Sequence, residues 1–455
     1  MFGWQYIIKT LPKEDIRMAF MTIQEASKKW GITERRIQVL CTSGRLEGAK
    51  KFGRQWAIPE ETEKPDDARI KSGKYIKKDG MENGSMNKRK LKIFSFFSGS
   101  GFLDLGFEKA NFEVELVNEY QKAFIEAYQY ARERMGMTSP VFGYFNIDVN
   151  DFLESRSDEI KTYIAEARKD GSLIGFIGGP PCPDFSIAGK QRGKDGENGK
   201  LSQSYVKLIC ALKPDFFLFE NVKGLWKTKR HRAFYEELKG QLHDAGYEMC
   251  DRLTNSLEFG APQDRDRILL FGLLRQINET IYGGKKSLEN FPWNKYHKYD
   301  LETIKALPWP KADTFSENSA TECPDGIIEE LTVEHWFKKN HVEKHPNADD
   351  YFQPRAGLTR MQSVEEGDDS KKSYKRLHRW RYSPTVAYGN NEVHLHPYKA
   401  RRLSAAESLA LQTLPEAFCL PKEMSLSDKF KTIGNGVPFV MSYGIARSIR
   451  DFLMG

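Results

Sequence analysis

Apolar positions along this chain change period several times, and the changes mark out its elements. Ile23, Ala26 and Trp30 share one helical face behind Thr22 and Glu25, a pair spaced as a capping box, and Gly31 supplies a stop. Thr33 can cap a second short helix carrying Arg35, Arg36, Ile37 and Leu40, which Gly44 ends. Residues 48–59 then alternate like a small hairpin around Gly53. A polar stretch with little to bury follows. From Lys92 onward largely apolar stretches at 93–97, 174–177, 216–219 and 268–271 read as buried strands, and Glu113–Val117 reads as another. Leu201, Tyr205, Leu208, Ile209 and Leu212 recur between two of them at helical spacing. Strands alternating with helices predict an α/β fold with a mostly parallel, doubly wound sheet, and ligands at the C-terminal strand ends.

Composition narrows the class. The 455 residues are 39% hydrophobic and 29% charged, ordinary for a soluble protein. No run of 18 apolar residues is long enough to cross a membrane, and the first twenty residues carry charges where a secretory signal needs an apolar core. Six cysteines, none paired at metal-ligand spacing, predict reduced thiols, a cytoplasmic location and no metal.

Charge divides the chain. Residues 1–92 hold 21 Lys and Arg against 12 Asp and Glu, a net +9, which leaves −2 of the overall +7 for the rest. A basic N-terminal fifth on a near-neutral body predicts an appended polyanion-binding module. Two short helices followed by a basic hairpin make a helix-turn-helix with a wing, and the segment resembles the MerR/excisionase type. The resemblance implies DNA contact through Arg35, Arg36, Lys50, Lys51 and Arg54. The expected organisation is an extension (1–20), a winged helix-turn-helix (21–62), a flexible linker (63–90), and a catalytic domain (91–275 and 396–455) that brackets a separate segment (276–395).

Candidate chemistry sits at the strand ends. Gly99-Ser100-Gly101 turns from the first strand into a helix, and Glu119 ends the second strand, where a carboxylate can accept from ribose hydroxyls. The next glycine is Gly106, so dinucleotide-binding spacing is not met, which disfavours an oxidoreductase. Together these features indicate an adenosine-containing cofactor without saying which. Gly178-Gly179-Pro180-Pro181-Cys182 then sets a cysteine rigidly at a strand end, where a thiolate can act as a nucleophile. Glu220-Asn221-Val222 puts an acid at the next strand end. Gln263-Asp264-Arg265-Asp266-Arg267, Arg402-Leu403-Ser404 with Glu407, and Gly434-Asn435-Gly436-Val437 complete the series.

This ordered set resembles the cytosine-C5 DNA methyltransferase family across residues 92–455. The resemblance implies a Rossmann-like methyltransferase domain with a target recognition domain at 276–395. It also implies methyl transfer from S-adenosyl-L-methionine to carbon 5 of a flipped-out cytosine in double-stranded DNA. Cys182 would be the covalent nucleophile, Glu220 the acid at N3, Asn221 the holder of the Cys182 loop, and Arg265 and Arg267 the grip on base and phosphate. The cofactor would be held by Phe97, Ser98, Gly99, Ser100, Gly101, Glu119, Tyr120, Asp148, Val149, Pro181, Leu201, Asn435 and Val437. Residues 183–200, with Lys190 and Arg192, correspond to a mobile loop that closes over DNA. A monomeric modification enzyme, with a possible cognate restriction endonuclease, is the implied biology. Three departures stand out: Phe102 where the family has a second glycine, Pro183 where it has glutamine, and Asp184 in place of a small residue. A transfer-RNA methyltransferase shares these motifs; the helix-turn-helix and the long recognition segment favour DNA. Intact Cys182, Glu220, Arg265 and Arg267 argue against a non-catalytic regulator.

Overall fold

A computed structural model describes residues 20–42, 46, 49–52, 55–60, 62, 89–181, 197–354, 357–371, 373–385 and 393–455. Outside these residues fall the Gly44 helix stop, the Gly53 turn with Arg54, the linker over 63–88, and Cys182 with Pro183, Asp184, Lys190 and Arg192; the side chain of Arg36 also falls outside. The chain divides into two compact units, Met1–Ser85 and Met86–Gly455.

In the first unit, strand β1 (Phe20–Thr22) leads into a helix over Ile23–Trp30 and a second over Glu34–Thr42; β2 (Lys50–Phe52) and β3 (Gln55–Pro59) follow. The capping box forms: the Glu25 amide donates to Thr22 Oγ1 at 3.2 Å while the Thr22 amide donates to Glu25 Oε2 at 2.7 Å. Gly31 closes the first helix at a φ of 63°. β1 was not foreseen. It pairs antiparallel with β3, which tucks Met21 into a core with Ala26, Trp30, Ile37, Leu40 and Ile58. Three residues are too few to display a period of two.

The second unit is built on a seven-stranded sheet. Its strands are β4 (Leu91–Phe96), β5 (Glu113–Asn118), β6 (Gly143–Phe145), β7 (Leu173–Gly178), β8 (Phe216–Val222), β9 (Tyr247–Asn255) and β11 (Asp266–Leu274), in the order β6-β5-β4-β7-β8-β11-β9; the short β10 (Gln263–Asp264) pairs outside this sheet, with Ser383–Pro384. The first five are parallel, and β11 runs antiparallel to both β8 and β9. Side chains alternate between two buried faces. Ile93, Ile177, Leu218 and Phe271 pack with Phe107, Met441 and Ile445, whereas Phe94, Phe96, Phe176 and Phe217 pack with Leu208, Ile209 and Leu238. Helices on both faces explain why β7, β8 and β11 read as nearly continuous apolar runs, whereas β5 keeps Glu113 and Glu115 in its first half.

Strand limits differ from expectation in several places: β5, β7 and β11 extend beyond the stretches at 113–117, 174–177 and 268–271, and β4 and β8 differ for identifiable reasons. The run at 93–97 predicts a strand through Phe97, but β4 stops at Phe96 because Phe97 takes a φ of 52° and begins the turn. The run at 216–219 continues to Val222, because β11 lies alongside and its ladder holds Glu220 opposite Leu269 and Asn221 opposite Ile268. At the chain's end the helix over Phe439–Met454 returns to the helix over Phe102–Lys109, where a Cβ on Gly106 would sit 2.2 Å from Ser442 Oγ. Among the described residues no helix is long and apolar enough to cross a membrane.

Candidate active site

Sheet geometry brings the C-terminal ends of β4, β5 and β6 together, and the first group of predicted residues gathers there. After β4 the chain turns through Phe97, Gly99 and Gly101, all at positive φ (52°, 56° and 81°). Such a turn is cheap for glycine and strained for phenylalanine, a feature typical of ligand-binding sites. Ser98 Oγ donates to the Asn118 carbonyl at 3.2 Å, which ties the turn to the end of β5. Glu119 follows. Its Oε2 accepts from the Gly99 amide at 2.9 Å and its Oε1 from the Gln121 amide at 2.7 Å. Burial pushes the Glu119 carboxyl above the ordinary range, and the amide bonds from Gln121 and Gly99 oppose it.

Tyr120, next in sequence, is 66% exposed, a large aromatic face without a protein cover. Asn146 fixes this corner by donating to the carbonyls of Glu119 and Tyr120. Asp148 caps the short 3-10 helix over Val149–Phe152, its Oδ1 accepting from the Asn150 amide at 2.8 Å. A held carboxylate, an exposed ring and a second carboxylate suit a ligand bearing a vicinal diol and a flat base.

β7, β8 and β11 carry the second group. The ladder register sets Arg267 opposite Val222, on the sheet face that Glu220 shares two residues earlier. Arg267 therefore reaches Glu220 diagonally, Nε to Oε1 at 2.6 Å, with both side chains buried. Gly179 makes room for the acid, since a Cβ there would meet Glu220 Oε2 at 2.5 Å. Asn221 Nδ2 donates to the Pro180 carbonyl at 3.4 Å, so the strand bearing the acid also grips the segment that leads to Cys182. Asp266 takes Lys223 and Asn255. Burial raises its carboxyl, but those two partners outweigh it and hold the group below the usual range. Arg265 differs from Arg267. It has no exposed surface, and it donates to the Gly434 carbonyl at 2.7 Å and to Gln263 Oε1 at 3.4 Å.

The remaining predicted residues divide. Pro181 and Leu201 are half-buried and Asn435 is exposed. Phe97 packs edge-on against Tyr205 with ring centroids 5.9 Å apart. Val149 and Val437 are core residues, in the two clusters on opposite faces of the sheet. In the first unit Arg35, Lys50 and Lys51 are exposed. The Phe102 departure has a structural answer. Its ring lies where a Cβ on Gly436 would be, 2.1 Å from the nearest ring atom, and meets Phe418 edge-on at 5.2 Å. Sequence reasoning missed a buried cluster beneath the turn, comprising Asp104, Tyr128 and Arg132.

The family model for C-5 cytosine-specific DNA methylase matches residues 91–451. Type II methyltransferase M.NmeDI of Neisseria meningitidis serogroup C is 52% identical over 367 residues, 80% of this chain and 85% of that protein. Type II methyltransferase M.FnuDI of Fusobacterium nucleatum is 29% identical over 372 residues, covering 80% and 95%. Among solved structures, an E. coli protein assigned as a prophage-encoded DNA modification methyltransferase shares the fold. Its TM-score is 0.55 at 22% identity, over 80% of this chain and 99% of that one. The chain belongs to the C-5 cytosine-specific DNA methylase family and is a DNA cytosine-5 methyltransferase.

Proposed function

We propose that this enzyme transfers the methyl group of S-adenosyl-L-methionine to carbon 5 of a cytosine flipped out of double-stranded DNA, through a covalent bond to Cys182. The observation that carries the reading is the buried Glu220–Arg267 pair at 2.6 Å, set against Gly179 and joined through Asn221 to Pro180. Cytosine is too poor a nucleophile at carbon 5 to be methylated directly. The Cys182 thiolate adds to carbon 6, Glu220 delivers a proton to N3, and carbon 5 becomes enamine-like. Arg267 holds the base carbonyl oxygen beside Glu220. Arg265, wholly buried, braces the strand against Gly434 from behind. Once carbon 5 carries the methyl group, loss of its proton re-forms the double bond and expels the thiolate. The base must leave the helical stack to reach these groups.

S-adenosyl-L-methionine supplies an electrophilic methyl group when bound and leaves as S-adenosyl-L-homocysteine. Glu119 takes the ribose hydroxyls, Tyr120 stacks on adenine, and Asp148 accepts from the adenine amino group. Bisulfite sequencing of DNA from a host expressing the protein tests the whole reading. Cytosines within one short sequence are expected to be protected from conversion. Complete conversion, with the folded protein present in the extract, would sink it.

Residues 276–395 form the target recognition domain in this reading, and residues 183–200 the loop that closes over DNA. The likeness to Type II methyltransferases supports a modification role in a restriction-modification system, with a cognate endonuclease as partner. The enzyme acts as a cytoplasmic monomer. The winged helix-turn-helix at 21–62 adds a second DNA contact through Arg35, Arg36, Lys50, Lys51 and Arg54. A chain starting near Lys88 is therefore expected to methylate DNA but to bind long duplexes up to ~10²-fold more weakly. Its plot of log affinity against log salt should flatten by about one unit per lost phosphate contact. Salt titrations of both proteins on one duplex measure this, and equal slopes would assign the N-terminal unit to a protein partner instead.

A further inference from the structure

Under the 98–101 turn lies a set of polar side chains that the proposed chemistry does not use. Asp104 is fully buried; its Oδ1 accepts from Ser95 Oγ at 2.8 Å and its Oδ2 from Tyr128 Oη at 2.9 Å. Ser95 Oγ lies 2.8 Å from Ser98 Oγ, which itself donates to the Asn118 carbonyl. Arg132, 2% exposed, stacks its guanidinium 3.6 Å from the Tyr128 ring centre. Its Nη2 donates to Glu108 Oε2 at 2.7 Å and to the Gly101 carbonyl at 3.1 Å, while Nε and Nη1 have no hydrogen-bond partner among the described residues.

Gly101 explains which way the turn leans. A Cβ there would lie 2.4 Å from both Arg132 Nη1 and a Tyr128 ring carbon, so the turn is pressed onto this cluster. At Gly99 the nearest atom to such a Cβ is Thr432 Oγ1 at 3.7 Å, so that side of the turn is open. Gly101 is pressed onto the scaffold, whereas Gly99 offers its amide to Glu119 and has only an ordinary contact on its Cβ side.

Burying two carboxylates, a guanidinium and a phenol is costly, and apolar side chains of the same volume would pack the two helices together as well or better. Apolar groups could not hold the Gly101 carbonyl or the Ser95 and Ser98 hydroxyls. We propose that Arg132, Tyr128 and Asp104 are positioning residues for the cofactor turn. They fix Gly101 and Ser98, and thereby hold the Gly99 amide where it orients the Glu119 carboxylate. This rests on the reading of the turn as the S-adenosyl-L-methionine site. Nothing in the cluster touches the cytosine side of the site, so the effect falls on cofactor affinity.

Tyr128→Phe is the discriminating variant, because it keeps the ring under Gly101 and the stack on Arg132 but removes the bond to Asp104. Arg132→Lys is the second: it keeps the charge and loses the planar fork. Calorimetric titration of the full chain with S-adenosyl-L-homocysteine is expected to give a Kd raised ~5-fold for Tyr128→Phe, the net worth of one hydrogen bond, and raised further for Arg132→Lys. DNA affinity should stay at the wild-type value. In steady state the loss should appear in the KM for S-adenosyl-L-methionine, with turnover recovered at saturating cofactor, whereas loosened packing alone would lower the thermal midpoint and leave both constants in place. Wild-type Kd values in both folded variants overturn the proposal. Glu119→Ala is the control beneath it: if wild type binds no S-adenosyl-L-homocysteine, or Glu119→Ala binds it equally well, the cofactor reading fails and the positioning role falls with it.

Discussion

Cys182→Ala protein is expected to transfer no methyl groups while keeping its affinity for cofactor and DNA. Two prolines and two glycines precede Cys182, and Asn221 grips the carbonyl of Pro180 two residues upstream. Replacing the thiol therefore removes the nucleophile without disturbing the segment that carries it. Without addition at carbon 6 there is no enamine, and no remaining group in the site can take that part. Wild type should also form a denaturation-resistant complex with DNA containing 5-fluorocytosine, since fluorine at carbon 5 cannot leave as a proton does. Radiolabelled methyl transfer and a denaturing gel report the two results. Methylation surviving in Cys182→Ala, or a covalent complex formed by it, would overturn the adduct.

Glu220→Gln should cost ~10²–10⁴-fold in turnover, the usual worth of a positioned proton donor. Glutamine has nearly the same shape, so Arg267 keeps an oxygen to face and Gly179 keeps its neighbour. What the amide cannot do is deliver a proton to N3 as the thiolate adds. The loss should lie in the methyl-transfer step, measured by single-turnover kinetics with enzyme in excess, and not in cofactor binding. Single-turnover rates within about 3-fold of wild type, a shift of under 1 kcal/mol in the barrier, would remove Glu220 from the proton-transfer role.

How much of this was legible depended on whether a residue's task is local. The β4 run, the Thr22–Glu25 box and the Gly31 stop are set by neighbours in sequence, and they read directly. Glu119 and Glu220 read as strand-end acids because a topological rule places ligands there. The Glu220 strand nevertheless runs to Val222, since its length depends on β11, nearly fifty residues away in the chain. Arg132 could not be read at all. It stands beside Glu133 and Arg134 at the end of the helix over Lys122–Arg134, and its partners Glu108, Tyr128 and the Gly101 carbonyl make it interior. Phe102 read as a defect in the glycine motif because its compensation, Gly436, lies more than three hundred residues further on. Residues 276–395 contain mostly short elements, such as the two-residue strand at Ser383–Pro384 that pairs with Gln263–Asp264, and these carry no period to detect.

The return of the helix over Phe439–Met454 to the helix over Phe102–Lys109 has a bearing on how the enzyme comes into being. Ser442 donates to the carbonyl of Leu103, Thr432 meets Ser100, and Gly436 receives the Phe102 ring, so the helices over Leu426–Asn435 and Phe439–Met454 wall the 98–101 turn from outside. Contacts between residues more than three hundred positions apart need the whole intervening chain to be present and its loop closed. During synthesis the N-terminal regions emerge first. A nascent chain still awaiting these two helices has its thiol and its acid encoded and translated, yet lacks the wall against which the turn is set. Methyl transfer is thus expected only from chains that carry both of these helices, and a chain cut before Leu426 should keep the acid and the thiol without the wall of the turn.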